Sequence, residues 1–207
     1  MAEKKRLTRR EREHQARRQE ILQAARRVFA EKGFHGATVD EIAEAAEFGK
    51  GTLYSFFENK DDLFFSLLKE GLDTLYKLAA ESITAHEDCR QQIADMTDGI
   101  LRYFEENIDF FRILATEREN LCGRLCDEWR ERLLEKHREL VGLVAQVIES
   151  GMERGSVRRV DPVRIAQAFH SLIHSFAFYR FRAKERRSLE DEKNTIVNVL
   201  FDGIGQR

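Results

Sequence analysis

The chain has 207 residues, a formal net charge of −2 and 42% hydrophobic residues. That length and apolar content allow one small and one medium domain. No apolar run reaches the roughly 18 residues that a membrane helix needs, and the charged N-terminus has no apolar core behind it. Neither a membrane span nor a secretory leader is therefore expected. Three cysteines, an odd number, argue against a disulfide framework and fit a reducing cytoplasm. A single proline, Pro162, and the scarcity of strand-type alternation predict an all-α protein.

The charge is uneven. Residues 1–32 carry eleven Lys/Arg and five Asp/Glu, a balance of +6, while residues 33–207 carry 24 and 32, a balance of −8. A basic leading segment on an acidic body suits a protein that meets a polyanion at one end. Residues 1–12, with Lys4, Lys5, Arg6, Arg9, Arg10 and Arg12, read as a basic arm that touches phosphate or the minor groove with little sequence reading. Helix 1 is expected from Thr8 to Lys32, burying Ile21, Leu22, Ala25, Val28 and Phe29, with Gly33 as its stop.

Residues 33–63, GFHGATVDEIAEAAEFGKGTLYSFFENKDDL, read as two short helices joined by a tight turn. Thr38 and Glu41 form a capping box that opens the first. Val39, Ile42, Ala43 and Ala46 give it one apolar face. Glu47-Phe48-Gly49 makes the turn, with Gly49 expected in a backbone conformation that other residues avoid. The next helix, Lys50 to about Phe56, has Leu53 as its inward anchor. Lys50, Gly51, Thr52 and Tyr54 leave a small, basic and hydroxyl-bearing outer face. Such a face suits DNA: small residues permit close approach to the major groove, and Lys, Thr and Tyr reach phosphates and base edges. Lys50, Thr52 and Tyr54 are the expected groove contacts, with Thr38 and Lys60 at phosphates.

The stretch resembles the TetR family of bacterial transcriptional regulators. The matching residues are Thr38, Ile42, Ala43, Ala46, Gly51, Thr52, Leu53, Tyr54, Phe57, Lys60, Asp62 and Leu63. Upstream, Ile21-Leu22, Ala24-Ala25, Phe29 and Gly33-Phe34 also match, so the resemblance covers roughly residues 19 to 63. Two positions depart from the family's pattern. Gly49 replaces the usual Ser or Thr before the recognition helix, which removes a side-chain cap. Phe56 stands where Tyr or His is common, which removes a phosphate hydrogen bond. The resemblance implies a DNA-binding domain over 1–60, and a helical effector-binding and dimerisation domain over 61–207.

Helix 4 is expected after the cap Asn59, with Asp61 and Asp62 near its positive end, to about Ile83. A helix that long leaves the first domain and enters the second, so shifting its far end would move the recognition helix. Five more helices follow, at about 88–105, 107–119, 124–153, 162–183 and 189–204. Asp161 and Pro162 start the fourth of these.

Members of the family hold a small-molecule effector among helices 5 to 8. Here the resemblance points to Met96, Tyr103, Phe104, Phe111, Trp129, Phe169 and Ile173 as lining for a bulky, largely apolar ligand. His170 and His174, four apart on one helical face, are polar handles there or in the dimer seam. In the family the last two helices pair with their copies in a second chain. Phe176, Leu189, Ile196, Val197, Leu200 and Ile204 are the expected apolar contacts. A symmetric dimer would read a palindrome with half-sites about 34–36 Å apart, or a multiple of that.

His170 with His174, Cys122 with Cys126, and His86-Glu87-Asp88-Cys89 are the clusters from which a metal or redox sensor could be assembled. No CxxC pair occurs, and no metal or other cofactor is expected. No Gly-rich phosphate loop, Gly-x-Ser-x-Gly elbow or His-Glu-x-x-His occurs, so no enzyme activity is expected. The reading is a cytoplasmic, homodimeric TetR-type repressor of a palindromic operator, released by a largely apolar effector. The alternatives are a metal or redox sensor on the same scaffold, or a helical adaptor that binds protein without reading DNA.

Overall fold

The computed structural model describes residues 8–114, 127–182 and 187–202; of 127–130 and Phe181 only the backbone is described. Among the described residues every regular element is a helix: α1 (Arg9–Gly36), α2 (Val39–Ala45), α3 (Lys50–Phe56), α4 (Lys60–Ala85), α5 (Cys89–Glu106), α6 (108–114), α7 (Asp127–Glu153), α8 (Pro162–Arg182) and α9 (Leu189–Phe201). Residues 115–119 and 124–126, assigned by sequence to helices 6 and 7, and Ile204 of helix 9 lie outside the described residues.

Local sequence sets the helix ends. Thr8 and Glu11 form a capping box at the start of α1, so Arg9, Arg10 and Arg12 belong to its first turns rather than to an arm. Lys4, Lys5 and Arg6 lie outside the described residues. Gly33, at φ 68°, breaks the helical path within α1, as its freedom from a Cβ allows. Thr38 and Glu41 make the expected second capping box. Asn59 accepts a hydrogen bond from the Asp62 N–H at 2.8 Å and opens α4.

The turn between α2 and α3 differs from expectation. Its left-handed residue is Glu47, at φ 58°. Gly49 has an ordinary extended backbone, φ −69° and ψ 148°, and caps α3 with no side-chain hydrogen bond. The turn is closed by Phe48 N–H donating to Ala43 O at 3.0 Å. A 6→1 return of this kind, with Glu47 N–H donating to Glu44 O at 3.0 Å inside it, needs its left-handed residue directly after the helix cap, which here is Glu47.

One apolar core runs from Ile21 through to Val197. The 26-residue α4 crosses most of it, about 39 Å at 1.5 Å per residue. Near its start Phe64 packs against Phe29 and Phe34, with ring centroids 4.9 and 4.8 Å away. Farther on it packs against α5 and α7, while α8 lies against α7 and α9 against α5. Asp161 Oδ1 accepts from the N–H groups of Val163 and Arg164, both at 3.1 Å, so α8 begins at Pro162 as expected. No helix among the described residues is long and apolar enough to cross a membrane.

Candidate nucleic-acid interface and ligand cavity

The outer face of α3 carries the residues singled out for DNA. Leu53, 2% exposed, holds the helix on the core, a burial worth roughly 1.5–3 kcal/mol. Gly51 is exposed, Thr52 half-buried and Tyr54 49% exposed. A Cβ at Gly51 would meet nothing within 4 Å, so its bareness serves no contact inside the chain. Phe56 is half-buried, its ring 4.4 Å from that of His14 on α1.

Three polar residues expected at DNA, Lys50 of α3, Thr38 at the cap of α2 and Lys60 of α4, are engaged within the chain. The Lys50 ammonium pairs with Asp40 on α2 at 2.9 Å. Thr38 is held through its backbone N–H and hydroxyl, both donating to Glu41 Oε2 at 2.9 Å. The Lys60 ammonium donates to Phe34 O at 2.8 Å and Ala37 O at 3.0 Å, and stands 4.5 Å from the centre of the Phe34 ring. It thus takes up carbonyls left open where α1 ends, and ties the first residue of α4 to that end. The Glu41 carboxyl is held down to about 2, chiefly by the Lys32 ammonium and then by Thr38.

A second feature lies among α4, α5, α6, α7 and α8: a cavity of about 370 Å³. Leu68, Leu72, Leu75 and Ala79 of α4 form one wall. Phe104, Phe169 and Ile173, chosen from the sequence, line it, as do His170 and His174. Met96, Tyr103 and Phe111 do not; Met96 and Phe111 are buried in the core, and the Tyr103 ring packs 5.8 Å from Phe110. Periodicity marks an inward face without separating core from cavity. The Trp129 side chain lies outside the described residues. Periodicity-based selection missed His137, although its place four residues after Leu133 and three before Leu140 puts it in the apolar stripe of α7. Its ring centroid is 4.4 Å from that of His170, which is 4.4 Å from that of His174.

Residues 21–67 match the family described as bacterial regulatory proteins, tetR family, and residues 90–189 match the tetracyclin repressor-like C-terminal domain. The chain belongs to the tetR family. It is 29% identical over 162 residues to the HTH-type transcriptional repressor NicS of Pseudomonas putida, covering 78% of this chain and 74% of that one. It is 25% identical over 191 residues to the fatty acid metabolism regulator protein of Bacillus subtilis, covering 89% and 94%. The structure of the transcriptional regulator FadR from Bacillus subtilis in complex with stearoyl-CoA superposes with a TM-score of 0.79 at 22% identity, over 90% of this chain and 99% of that one. This tetR-family chain is thus a transcription regulator, with the all-α architecture of its relatives.

In tetR-family terms α8 and α9 are the helices expected at the dimer seam, and the structure sorts their residues. Ile196 (0% exposed) and Val197 (5%) belong to the chain's own core, which corrects the expectation of interface contacts there: Ile196 has no surface to offer a second chain and Val197 almost none. Phe176, Leu189 and Leu200 are half-buried. The apolar surface on this side is instead Phe178, Tyr179 and Val199, with Tyr179 at 70% exposure.

Asp88 caps α5, and His86 pairs with Asp95 at 3.1 Å. Cys89 is buried, its thiol pushed up to about 11 mainly by burial, which leaves no useful thiolate near neutral pH. Cys122 and Cys126 lie outside the described residues. Among the described residues no three His, Cys, Asp or Glu side chains are grouped to hold a metal ion.

Proposed function

We propose that the chain is a one-component repressor that binds a palindromic operator as a homodimer and is released by a small, largely apolar effector held in the cavity. The observation that carries this reading is the double engagement of α4. Its first residue, Lys60, is clasped to the end of α1, and its Leu68, Leu72, Leu75 and Ala79 form a cavity wall. A ligand that displaces that wall displaces the base of the helix-turn-helix. For release, the ligand must bind the displaced arrangement better than the DNA-competent one.

In this reading a DNA-binding unit extends to about residue 60 and an effector and dimerisation unit follows. Lys50, Thr52 and Tyr54 make the groove contacts. Two donors of the Lys60 ammonium hold carbonyls, and the third can serve a phosphate. A second copy covers Phe178, Tyr179 and Val199, which are otherwise apolar surface in water. That a structural neighbour is complexed with stearoyl-CoA supports an acyl compound as the kind of effector.

The test is binding of the purified protein to the DNA upstream of its own gene, against excess unrelated duplex, at two salt concentrations. Tight binding that survives the competitor supports a sequence-specific regulator. Binding that vanishes with competitor or modest salt reduces the interaction to phosphate attraction.

A further inference from the structure

A separate groove of about 710 Å³ lies where α4 ends, α5 begins and α7 finishes. Its α7 side carries Gln146, Ser150 and Arg154, spaced four apart and so aligned on one helical face. The hydrogen bond from Arg154 N–H to Ser150 O at 3.1 Å carries the helical path through Arg154. None of these three side chains has a hydrogen-bond or ion-pair partner among the described residues. The opposite side is the last turn of α4, from Ile83 to Ala85, followed by His86 and Glu87. The final carbonyls of a helix have no partner within it and mark its negative end, and Glu87 adds an exposed carboxylate. At the base stands Gln92, 5% exposed. Its Nε2 donates to Ile83 O at 2.8 Å and to His86 O at 2.7 Å. Two carbonyl acceptors fix the amide that way round and leave its Oε1 buried with no partner among the described residues.

The groove thus has two unlike sides. From α7 it offers donors and a positive charge; from the end of α4, Glu87 and Gln92 it offers acceptors and a negative charge. We infer that it is a second ligand site, distinct from the apolar cavity, and that it takes a zwitterion: an α-amino acid or a short peptide. The Arg154 guanidinium holds the carboxylate, whose geometry its fork of N–H groups matches, and Ser150 and Gln146 donate beside it. The ammonium lies against the α4 carbonyls and Glu87 and gives Gln92 Oε1 the donor it lacks. An ion of one sign would leave one side unmatched, since the carbonyl end and Glu87 repel an anion and Arg154 repels a cation. Ile83 and Val147, also in the lining, suit an aliphatic side chain. Arg154 and Glu87 are both exposed, so water weakens each charge pair by itself, and recognition depends on meeting both poles together.

The test is thermal unfolding of the full chain with each of the common α-amino acids and with leucyl-leucine, followed by calorimetric titration of the compound that raises the midpoint most. The same compound acetylated at its amine, or amidated at its carboxyl, removes one pole at a time. The variants are Arg154→Gln and Glu87→Gln, both at exposed side chains that hold no part of the fold, and unfolding curves check each. The expected result is saturable binding that weakens about tenfold when either pole is blocked, the loss typical of a hydrogen bond to a charged group. Arg154→Gln should weaken the parent compound and leave the amidated one unchanged; Glu87→Gln should weaken the parent and leave the acetylated one unchanged. Binding of an amino acid identifies the free amino acid as the source, and binding of leucyl-leucine alone identifies the peptide. Failure of every compound to bind overturns the site. Equal binding by wild type and Arg154→Gln puts the ligand elsewhere and also overturns it. A blocked compound that binds as tightly as its parent overturns the zwitterion assignment. Operator binding is measured separately and is not decided by any of these outcomes.

Discussion

The ring of Phe110 on α6 lies directly against the bare Cα of Gly71 on α4: a methyl placed at Gly71 would stand 2.1 Å from two ring carbons. Phe110 is fully buried, so the ring has nowhere to withdraw. Gly71 also sits between Leu68 and Leu72, two residues of the cavity wall. The contact therefore brings α6 and the cavity against the helix that carries the DNA-binding unit.

Gly71→Ala should lower stability despite the roughly 1 kcal/mol that Ala gains over Gly inside a helix. Overpacking of a filled core costs about 1–3 kcal/mol, and here the clash is with a rigid ring. Urea unfolding should show the loss, and Gly71→Ala/Phe110→Leu should recover much of it through a coupling of the kind expected for residues in contact. A single variant as stable as wild type would mean that α4 and α6 do not pack this closely.

The turn before α3 is where sequence reasoning and structure part. The capping box at Thr38, the break at Gly33 and the start at Asp161-Pro162 were legible, because each depends on residues a few positions apart; α1 runs on past Gly33 to Gly36, and its own capping box at Thr8 was not anticipated. Gly49 drew the assignment of the left-handed residue because glycine tolerates it best. The structure places that conformation at Glu47, since the hydrogen bond from Phe48 to Ala43 fixes where the chain must reverse. Likewise, periodicity found Phe104, Phe169 and His174 but could not distinguish them from Met96, which points inward yet meets only core. Cavities arise from how helices splay, which no single helix records.

Glu47→Gly should therefore be neutral to about 1 kcal/mol stabilising, because it removes left-handed strain of roughly 1–2 kcal/mol against the entropy cost of a new glycine. Gly49→Ser should add a few tenths of a kcal/mol by supplying the missing cap. The site is open, with nothing within 4 Å of a Cβ there. Thermal unfolding of the two variants and their combination checks both signs. Destabilisation by Glu47→Gly would contradict the strained turn.

Glu41 makes stability depend on pH in the acid range. Its folded carboxyl is held down to about 2, first by Lys32 and then by Thr38, while an unfolded Glu titrates near about 4.3. A depressed folded value contributes stability that is complete above the unfolded value and is lost as pH falls through the folded one. The contribution should thus be present above about pH 4.3 and disappear toward pH 2. Glu41→Gln should flatten that part of the stability profile and should also alter its alkaline limb, because Glu41 holds the Lys32 ammonium above its usual value. Thr38→Ala should cost about 1 kcal/mol at neutral pH by removing the cap itself.

Tyr54 and Leu53 separate binding from folding. Tyr54 is half-exposed and Leu53 buried one position earlier in the same helix. Tyr54→Ala should leave unfolding within about 0.5 kcal/mol of wild type while abolishing operator preference over random duplex. Leu53→Ala should cost about 2–5 kcal/mol of stability. Gel-shift titrations beside unfolding curves give both readings, and unchanged operator affinity in Tyr54→Ala would sink the docking geometry.

Arg26 and Asn107 provide a second link between the first three helices and the cavity side of the molecule. Arg26 Nη1 on α1 donates to Asn107 Oδ1 at 2.8 Å, and Asn107 Nδ2 donates to Tyr103 O at 2.9 Å. Asn107 also caps the end of α5, and its carbonyl accepts from Phe111 N–H at the start of α6. One residue therefore joins α1 and α5 through its side-chain amide and α6 through its backbone carbonyl. The Arg26 Nε is buried without a partner, so the guanidinium depends heavily on this bond. Asn107→Ala should cost about 1–3 kcal/mol, because it leaves a partly buried donor unmet, whereas Arg26→Met, which keeps much of the apolar stem, should cost less. The link also predicts a functional difference. If motion at the cavity reaches the helix-turn-helix partly through α6 and Asn107, Arg26→Met should retain operator binding yet require more effector for release. Operator affinity measured with and without ligand in the two variants distinguishes that outcome from a purely structural role, which would leave the release curve unmoved.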